Sequence, residues 1–303
     1  MYDIIGDIHG QAGSLTTLLK KLGYTKTKEG FQHSERKAIF VGDLINKGSE
    51  SIEVLKIVRK MVDNKQAQVV LGNHELNFIL HFYANAIHPN TPLMWSKGYG
   101  YFHRLYSEFN FDTQKVREWV NWCKTLPLVI ETDDFRVIHA CWHEPSIQLL
   151  KTISPDLTIN DKVLTELFKE NTPLLESLFI LTKGIEVMLP KYVPLSEKKL
   201  SRPGRAKIQW WKVNNETHYL NLAVNPKKKF PNIEIPIPRS LNKMEYTLTE
   251  KPLFMGHYNL NRAVDLIQPN IAILDYNLKK KQHIVAYRWD GADCLSKTNL
   301  IVN

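Results

Sequence analysis

The stretch MYDIIGDIHGQ, residues 1–11, decides the fold, because a short apolar run in it ends in an acid and an imidazole. Residues 2–5 have the length and composition of a buried strand. Asp7 and His9 follow two residues apart, so their side chains leave the same face of an extended chain. Gly10 then lets the backbone turn away. Alone, this pattern is also typical of a simple turn, and the rest of the chain must distinguish a turn from a pair of metal ligands.

Four further apolar runs end in side chains of the same kind. Residues 37–41 lead into Gly42-Asp43, residues 68–71 into Gly72-Asn73-His74-Glu75, residues 135–138 into His139, and residues 252–255 into Gly256-His257. Ligands of α/β sheets bind at the carboxyl ends of the strands. We therefore expect all five strand ends to converge on one crevice.

Helical segments separate the first three of these runs. Leucines at helical spacing fill residues 12–22, and the same pattern recurs in residues 51–62. The order strand, helix, strand, helix, strand predicts an α/β fold. Strand-like runs at residues 271–274 and 283–289 predict that the core closes near the end of the chain.

The middle of the chain has a different character. Residues 149–188 are mostly helical in pattern, and a segment with seven prolines follows between residues 190 and 238. Such a density of proline favours irregular, extended chain. We predict a core formed by residues 1–142 and 250–303, and an insertion or cap formed by residues 143–249.

The polar side chains at the strand ends are donors typical of a catalytic metal site. Mixed carboxylate, amide and imidazole donors suit manganese, iron or zinc. Six donors exceed what one catalytic metal with an open position takes, which predicts two ions with Asp43 able to bridge them, about 3.5–4 Å apart. Such a site would carry positive charge and attract a phosphate ester. The six candidate ligands are Asp7, His9, Asp43, Asn73, His139 and His257.

The composition limits the classes of protein and of partner. A formal charge of +9 over 303 residues favours an anionic substrate or partner. Two runs of three lysines leave nucleic acid open as a partner, although no aromatic residues alternate with them as a stacking platform requires. No apolar stretch reaches the length of a membrane span, so we expect no membrane partner. Three scattered cysteines and no signal-like N-terminus favour the cytoplasm.

Together these motifs resemble the calcineurin-like metallophosphoesterases, in particular the phosphoprotein phosphatase branch. That branch includes bacterial serine/threonine phosphatases and dinucleoside tetraphosphatases. The resemblance covers residues 1–142 and 250–290. It implies a four-layer β-sandwich flanked by helices with a cap-like insertion, classed as α/β or in some schemes α+β.

The resemblance also implies a role for each residue of the site. Asp7 and His9 would hold the first metal, Asp43 would bridge, and Asn73, His139 and His257 would hold the second, with manganese favoured. The resemblance implies that His74 protonates the leaving group while a metal-bridging hydroxide attacks phosphorus. Asn46 and Lys47 stand where the family has Asp and Arg. Asn46 would orient His74, and Lys47 and Asn73 would contact phosphate.

These implications predict a hydrolase of a phosphomonoester or a nucleotide phosphoanhydride. The alternatives are a serine/threonine protein phosphatase and a binding scaffold without turnover. Arg202 and Arg205 precede Trp210-Trp211 in the insertion. This group could bind a phosphate and stack a base, although the tryptophans could equally serve packing.

Overall fold

The computed structural model describes residues 1–87, 99–169, 172–189, 205–215, 217–226, 232–235, 237, 241, 244–278, 283–292 and 294–303. The strands within these residues are β1 (Tyr2–Ile5), β2 (Thr25–Thr27), β3 (Gly30–Gln32), β4 (Lys37–Phe40), β5 (Ala67–Val69), β6 (Val129–Glu131), β7 (Arg136–Ile138), β8 (Glu186–Met188), β9 (Arg205–Lys207), β10 (Leu253–Met255), β11 (Ile271–Ile273), β12 (Val285–Trp289) and β13 (Leu300–Val302). The α-helices are α1 (Ala12–Lys21), α2 (Ser51–Asp63), α3 (Asn73–Ile87), α4 (Tyr99–Glu108), α5 (Thr113–Lys124), α6 (Glu144–Ile153), α7 (Asp161–Phe168), α8 (Thr172–Lys183) and α9 (Tyr219–Leu222). Two 3-10 helices span Trp210–Asn215 and Lys297–Asn299.

The chain forms two compact units, one of residues 1–182 and 251–303 and one of residues 183–250. The smaller unit thus begins after residue 182, within the segment 143–249 that the sequence pattern assigns to an insertion. Helices α6, α7 and most of α8 belong to the first unit. Backbone hydrogen bonds tie the end of α8 to the chain that follows β7. The amides of Ala140 and Cys141, just after β7, both donate to the carbonyl of Leu181. That residues 143–249 form an insertion over the core stays a prediction.

The first sheet of the larger unit has the strand order β13-β12-β1-β4-β5. Strands β1, β4 and β5 run parallel to one another, while β12 is antiparallel to β1. The parallel pairs are joined through α1 and α2, as the alternation of patterns predicts. On α2, the side chains of Val54, Leu55, Val58 and Met61 are buried, so its apolar stripe forms part of the core.

The second sheet has the order β11-β10-β7-β6. Strands β7, β10 and β11 are parallel, and β6 pairs antiparallel with β7. The five apolar runs singled out in the sequence are thus β1, β4, β5, β7 and β10, three in one sheet and two in the other.

Aromatic contacts join the inner faces of these two sheets. The ring of Phe135, beside β7, lies 4.7 Å from the ring of Trp289 on β12 and 5.4 Å from that of Tyr2 on β1. Phe254 on β10 contacts Tyr287 on β12 with a centroid distance of 5.2 Å. The sheets therefore form a β-sandwich with helices outside it, and the α/β fold class is confirmed.

The smaller unit contains the antiparallel pair of β8 and β9, the 3-10 helix Trp210–Asn215 and α9. Trp210 and Trp211 are 1% and 2% exposed, and their rings meet edge to face at 5.6 Å. Neither ring has an open face on which a nucleobase could stack, so packing explains the tryptophan pair. Among the residues that the structure describes, no helix has the length and apolar character that crossing a bilayer requires.

Candidate metal centre

The topology brings the five strand ends together. Neighbouring parallel strands β1, β4 and β5 end at one edge of their sheet, where Asp7, His9, Asp43 and Asn73 follow them. His139 and His257 follow β7 and β10 in the facing sheet. The contacts below join the side chains from both sheets, as the convergence inferred from the sequence requires.

One group of donors surrounds His9. Donor atoms of His9, Asp43 and His74 all lie within 4.8 Å of one another. The Nε2 atom of His9 is 3.6 Å from Oδ2 of Asp7 and 3.8 Å from Oδ2 of Asp43. These separations leave room for a cation among the imidazole and the two carboxylates.

A second group lies on the other side of Asp43. It consists of Asp43, His139 and His257, again with donor atoms within 4.8 Å. The Oδ1 atom of Asn73 lies 2.7 Å from Nδ1 of His257 and 3.3 Å from Nε2 of His139. Asp43 belongs to both groups, with Oδ2 facing His9 and Oδ1 facing His139. This is the position that a bridging carboxylate needs.

The hydrogen bonds of His139 show that the donors fit a metal ion. Its Nδ1 lies 2.6 Å from the carbonyl of Val41, which accepts a hydrogen bond from Nδ1–H and so fixes the tautomer. The lone pair of Nε2 then faces Oδ1 of Asp43 at 3.2 Å and Oδ1 of Asn73 at 3.3 Å. Three acceptors cannot face one another without a proton or a cation between them. Although burial opposes it, Asp43 raises the pKa of His139 to about 9, which favours a proton at this position at neutral pH when no metal is bound.

The surrounding charges and burial shift the pKa values of the Asp43 and Asp7 carboxyl groups in opposite directions. Against the effect of burial, His139 and His74 hold the pKa of Asp43 well below its usual range. Burial and the nearby Asp275 carboxylate raise the pKa of Asp7. A divalent cation beside Asp7 would offset both of these effects.

The backbone at the site adopts a conformation that L residues rarely occupy. His9 and Asp43 both have φ of 51°, and His257 has φ of 69°. Asn46 and Lys47 are two consecutive left-handed residues, with φ of 69° and 61°. Such strain concentrates where the structure must hold side chains in set directions, and here it falls on candidate ligands and their neighbours.

Glu75 holds this strained loop, a role that the sequence pattern alone did not reveal. One carboxylate oxygen accepts from the amides of Asp43 (2.9 Å) and Gly72 (3.1 Å). The other accepts from the amides of Leu44 (2.9 Å) and Ile45 (3.2 Å). Burial and the charge of Asp43 raise the pKa of Glu75 to about 7. The available signal was an acid three residues after Gly72, in the first turn of a helix.

Asp275 is a second residue that the sequence pattern missed. It follows the buried strand β11, as the candidate ligands follow theirs. Its Oδ2 accepts from the amide of Asn259 at 2.7 Å, two residues beyond His257. Extending the search for polar strand ends to residues 271–274 would have found it.

The proposed proton donor and its neighbours also lie at this edge. His74 Nδ1 is 3.0 Å from Nδ2 of Asn46, and its Nε2 is 3.7 Å from Oδ2 of Asp43. The Nζ atom of Lys47 reaches Nε2 of His9 at 2.5 Å. His74 thus stands between Asn46 and the carboxylate shared by the two groups of donors.

The two arginines named from the sequence belong to another part of the chain. Arg205 lies on β9 in the smaller unit, where its Nη1 is 4.0 Å from Oε2 of Glu186. Arg202 lies outside the described residues. A phosphate-binding role for either arginine stays a prediction.

Comparison with known proteins places these features in a family. The family model for calcineurin-like phosphoesterases matches residues 2–216. The asymmetrical bis(5'-nucleosyl)-tetraphosphatase PrpE of Oceanobacillus iheyensis is 42% identical over 86 residues, which is 28% of this chain and 34% of the relative. The PrpE of Geobacillus thermodenitrificans is 49% identical over 73 residues, 24% of this chain and 30% of the relative. The chain thus matches about a third of the length of these relatives.

A solved structure supports the fold. The cold-active protein-tyrosine phosphatase of a psychrophilic Shewanella species aligns with a TM-score of 0.51 at 15% identity, over 95% of this chain and 75% of that protein. At this identity the likeness concerns the fold alone. The family match covers most of the larger unit, including Asp7, Asp43 and His139, and members of the family use divalent metal ions. The chain therefore belongs to the calcineurin-like phosphoesterase family.

Proposed function

We propose that the protein is a metal-dependent phosphohydrolase that acts on a phosphomonoester or a nucleotide phosphoanhydride. The observation that carries the proposal is the position of Asp43, whose two oxygens face two separate groups of metal donors. Two ions fit these donors, with Asp7, His9 and Asp43 at the first and Asp43, Asn73, His139 and His257 at the second. Carboxylate, amide and imidazole donors favour manganese, with iron and zinc as alternatives.

Two bound divalent ions would polarise the phosphoryl oxygens and lower the pKa of the attacking water. The protein's own residues supply the remaining steps. The leaving group is an alkoxide, or a phosphate when an anhydride is cleaved, and it needs a proton. His74 is 15% exposed, so a substrate oxygen can reach its ring, and the ring can donate a proton to that oxygen.

Asn46 orients this imidazole. Its buried Oδ1 has no hydrogen-bond partner among the described residues, while its Nδ2 faces Nδ1 of His74. Rotation of the amide by half a turn would instead let Oδ1 accept the Nδ1 proton of a protonated His74. Either orientation keeps Nε2 directed toward the site.

Lys47 supplies a positive charge at the same edge. In the family this position is an arginine, which can bind phosphate through two parallel hydrogen bonds. A lysine binds phosphate as a point charge. We propose that Lys47 contacts the phosphoryl group and that Asn73 contributes both a metal donor and a substrate contact.

The substrate class rests on the relatives. Those named above are called tetraphosphatases of dinucleosides, which favours a nucleotide phosphoanhydride for this chain. A serine/threonine protein phosphatase is the alternative within the same chemistry. A scaffold that binds partners without turnover is the alternative outside it, and the complete set of donors argues against that role.

Hydrolysis of para-nitrophenyl phosphate by chelator-treated protein, with and without added Mn²⁺, tests the proposal. We expect turnover that requires the metal, and we expect Asp43→Asn to lose both turnover and bound metal. Metal binding without turnover under Mn²⁺, Fe²⁺ or Zn²⁺ would overturn the enzyme and favour the scaffold. A panel of phosphopeptides, dinucleoside tetraphosphates and 2′,3′-cyclic nucleotides then separates the substrate classes.

A further inference from the structure

Helix α4 is fastened to the loop that carries Asn46 and Lys47. Near its end, the Glu108 carboxylate accepts from the hydroxyl of Ser51 at 2.9 Å and from the amide of Ile52 at 3.1 Å. The Ser51 hydroxyl oxygen in turn accepts from the amide of Asn46 at 3.2 Å. This chain of hydrogen bonds fixes one face of α4 against the loop that carries Asn46 and Lys47.

Arg104 lies on that same face, one helical turn before Glu108. Its Nη1 donates to the carbonyl of Lys47 at 3.2 Å, and its side chain is exposed to solvent. The side chain of Lys47 reaches His9 within the metal centre. The loop therefore has an ammonium group at the metal centre and a guanidinium group on its backbone at the solvent side.

Among the described residues, the guanidinium of Arg104 makes one hydrogen bond. One terminal nitrogen contacts the Lys47 carbonyl, and a planar guanidinium carries five N–H groups in all. In the part of the chain that the structure describes, no carboxylate lies within ion-pair distance of Arg104. An exposed guanidinium that is not paired with a carboxylate can bind a phosphate through two parallel hydrogen bonds, a contact that a lysine cannot make.

We propose that Arg104 binds a phosphate adjacent to the one that is hydrolysed, and so selects substrates with two or more linked phosphates over phosphomonoesters. The role rests on the proposed phosphohydrolase function. Lys47 and the ions that the candidate metal donors would hold engage the scissile phosphate, and Arg104 engages the next phosphate along the substrate. Arg104 is thus a specificity-determining residue on a helix that carries no metal donor.

The test compares Arg104→Ala and Arg104→Lys with the wild-type protein at one fixed concentration of free Mn²⁺. For a dinucleoside tetraphosphate we expect Arg104→Ala to lower kcat/KM about 10- to 100-fold, mainly through KM, which is the range for one lost charge-assisted contact. For para-nitrophenyl phosphate we expect no change. Inorganic tripolyphosphate should inhibit para-nitrophenyl phosphate hydrolysis more weakly in Arg104→Ala, whereas inhibition by inorganic phosphate should stay the same. Arg104→Lys should recover part of the loss.

A matched control removes the same charge from a neighbouring helix. Lys115 on α5 is exposed and pairs with Asp112 at 3.3 Å, so Lys115→Ala should affect neither substrate. An equal loss in Lys115→Ala would assign the effect to overall charge and overturn the role of Arg104. Equal losses for both substrates in Arg104→Ala would show a purely structural clamp and overturn it too. If the wild-type protein hydrolyses no phosphate probe, the proposed function itself fails; normal wild-type turnover with an unchanged substrate ratio overturns the Arg104 role alone.

Discussion

The side-chain amide of Asn46 lies 3.0 Å from Nδ1 of His74, at a position where the family resemblance implies an aspartate. A neutral amide can orient the ring in either of its two orientations, but it adds no charge that would favour the imidazolium form. A carboxylate can only accept a hydrogen bond, so it requires a proton on Nδ1. The difference concerns the proposed proton donor and leaves every candidate metal donor in place.

We therefore predict that Asn46→Asp moves the alkaline limb of the pH profile of kcat to higher pH. The new carboxylate would stabilise imidazolium His74 by charge, so the donor would keep its proton over a wider range. The measurement is kcat for phenyl phosphate, whose poor leaving group requires the donated proton, across pH 5–9 at saturating Mn²⁺. A profile that does not move would show that Asn46 is not coupled to the proton donor.

Removal of the imidazole itself gives the second prediction. His74→Ala should lower kcat by about 10²- to 10⁴-fold, the usual contribution of a general acid, while bound metal stays at the wild-type level. The metal content, measured by elemental analysis after gel filtration, separates a proton donor from a ligand. This is necessary because His74 also lies within 4.8 Å of donors from His9 and Asp43. Loss of metal in His74→Ala would instead make His74 a ligand of the first metal. The control is His103→Ala, which removes an exposed histidine of α4.

The sequence predicts the strands and brings the candidate metal donors to notice because both depend on local pattern. Apolar runs ending in Asp, Asn or His define β1, β4, β5, β7 and β10. Because neighbouring strands of this set are parallel, their polar ends lie at the same edge of each sheet. The role of Glu75 could not be predicted in the same way, because it depends on amides from two loops that only the fold brings together. Arg104 is similar: its partner is a backbone carbonyl 57 residues away, and no side-chain pattern marks it.

The boundary of the smaller unit depends on backbone contacts of the same kind. Helical periodicity predicted residues 149–188 to be mostly helical, which holds for α6, α7 and α8 but not for β8 at Glu186–Met188. It gave no information on which sheet the helices join. Two amides after β7 share the Leu181 carbonyl and so tie the end of α8 to the first unit, which extends to residue 182. Such hydrogen bonds involve groups that every residue has, so the sequence carries no signal for them.

The third prediction concerns Glu75. In Glu75→Gln, one side of the amide would present N–H groups to backbone N–H donors, leaving at least two buried donors unsatisfied. Each unsatisfied donor costs about 1–3 kcal/mol, so the free energy of unfolding should fall by several kcal/mol. The affinity for Mn²⁺ should fall as well, because the Asp43 loop loses its support.

Urea unfolding and Mn²⁺ titration measure the two effects of Glu75→Gln. The control is Glu53→Gln on the exposed face of α2, where the lost contact is a surface pair with Lys56 at 3.8 Å. That variant should change the free energy of unfolding by less than about 1 kcal/mol. Equal effects in the two variants would contradict the part we assign to Glu75.

The last prediction is a dependence of metal-free stability on pH that bound metal removes. The pKa of His139 in the folded, metal-free protein is about 9, above its ordinary value of 6.5. A group whose pKa is raised by folding stabilises the folded state fully below its unfolded value, and this contribution is lost as the pH rises through the folded value. From this group, the free energy of unfolding of chelator-treated protein should therefore fall between pH 6.5 and 9. With Mn²⁺ bound, the cation replaces the proton between Nε2 of His139 and Asp43, and the fall in the free energy of unfolding should be much smaller.

Urea unfolding at pH 6 and pH 9, with EDTA or with Mn²⁺, measures the pH dependence of the free energy of unfolding in both states. In His139→Asn the two pH dependences should become equal. Identical slopes with and without metal in the wild-type protein would show that no cation binds at His139.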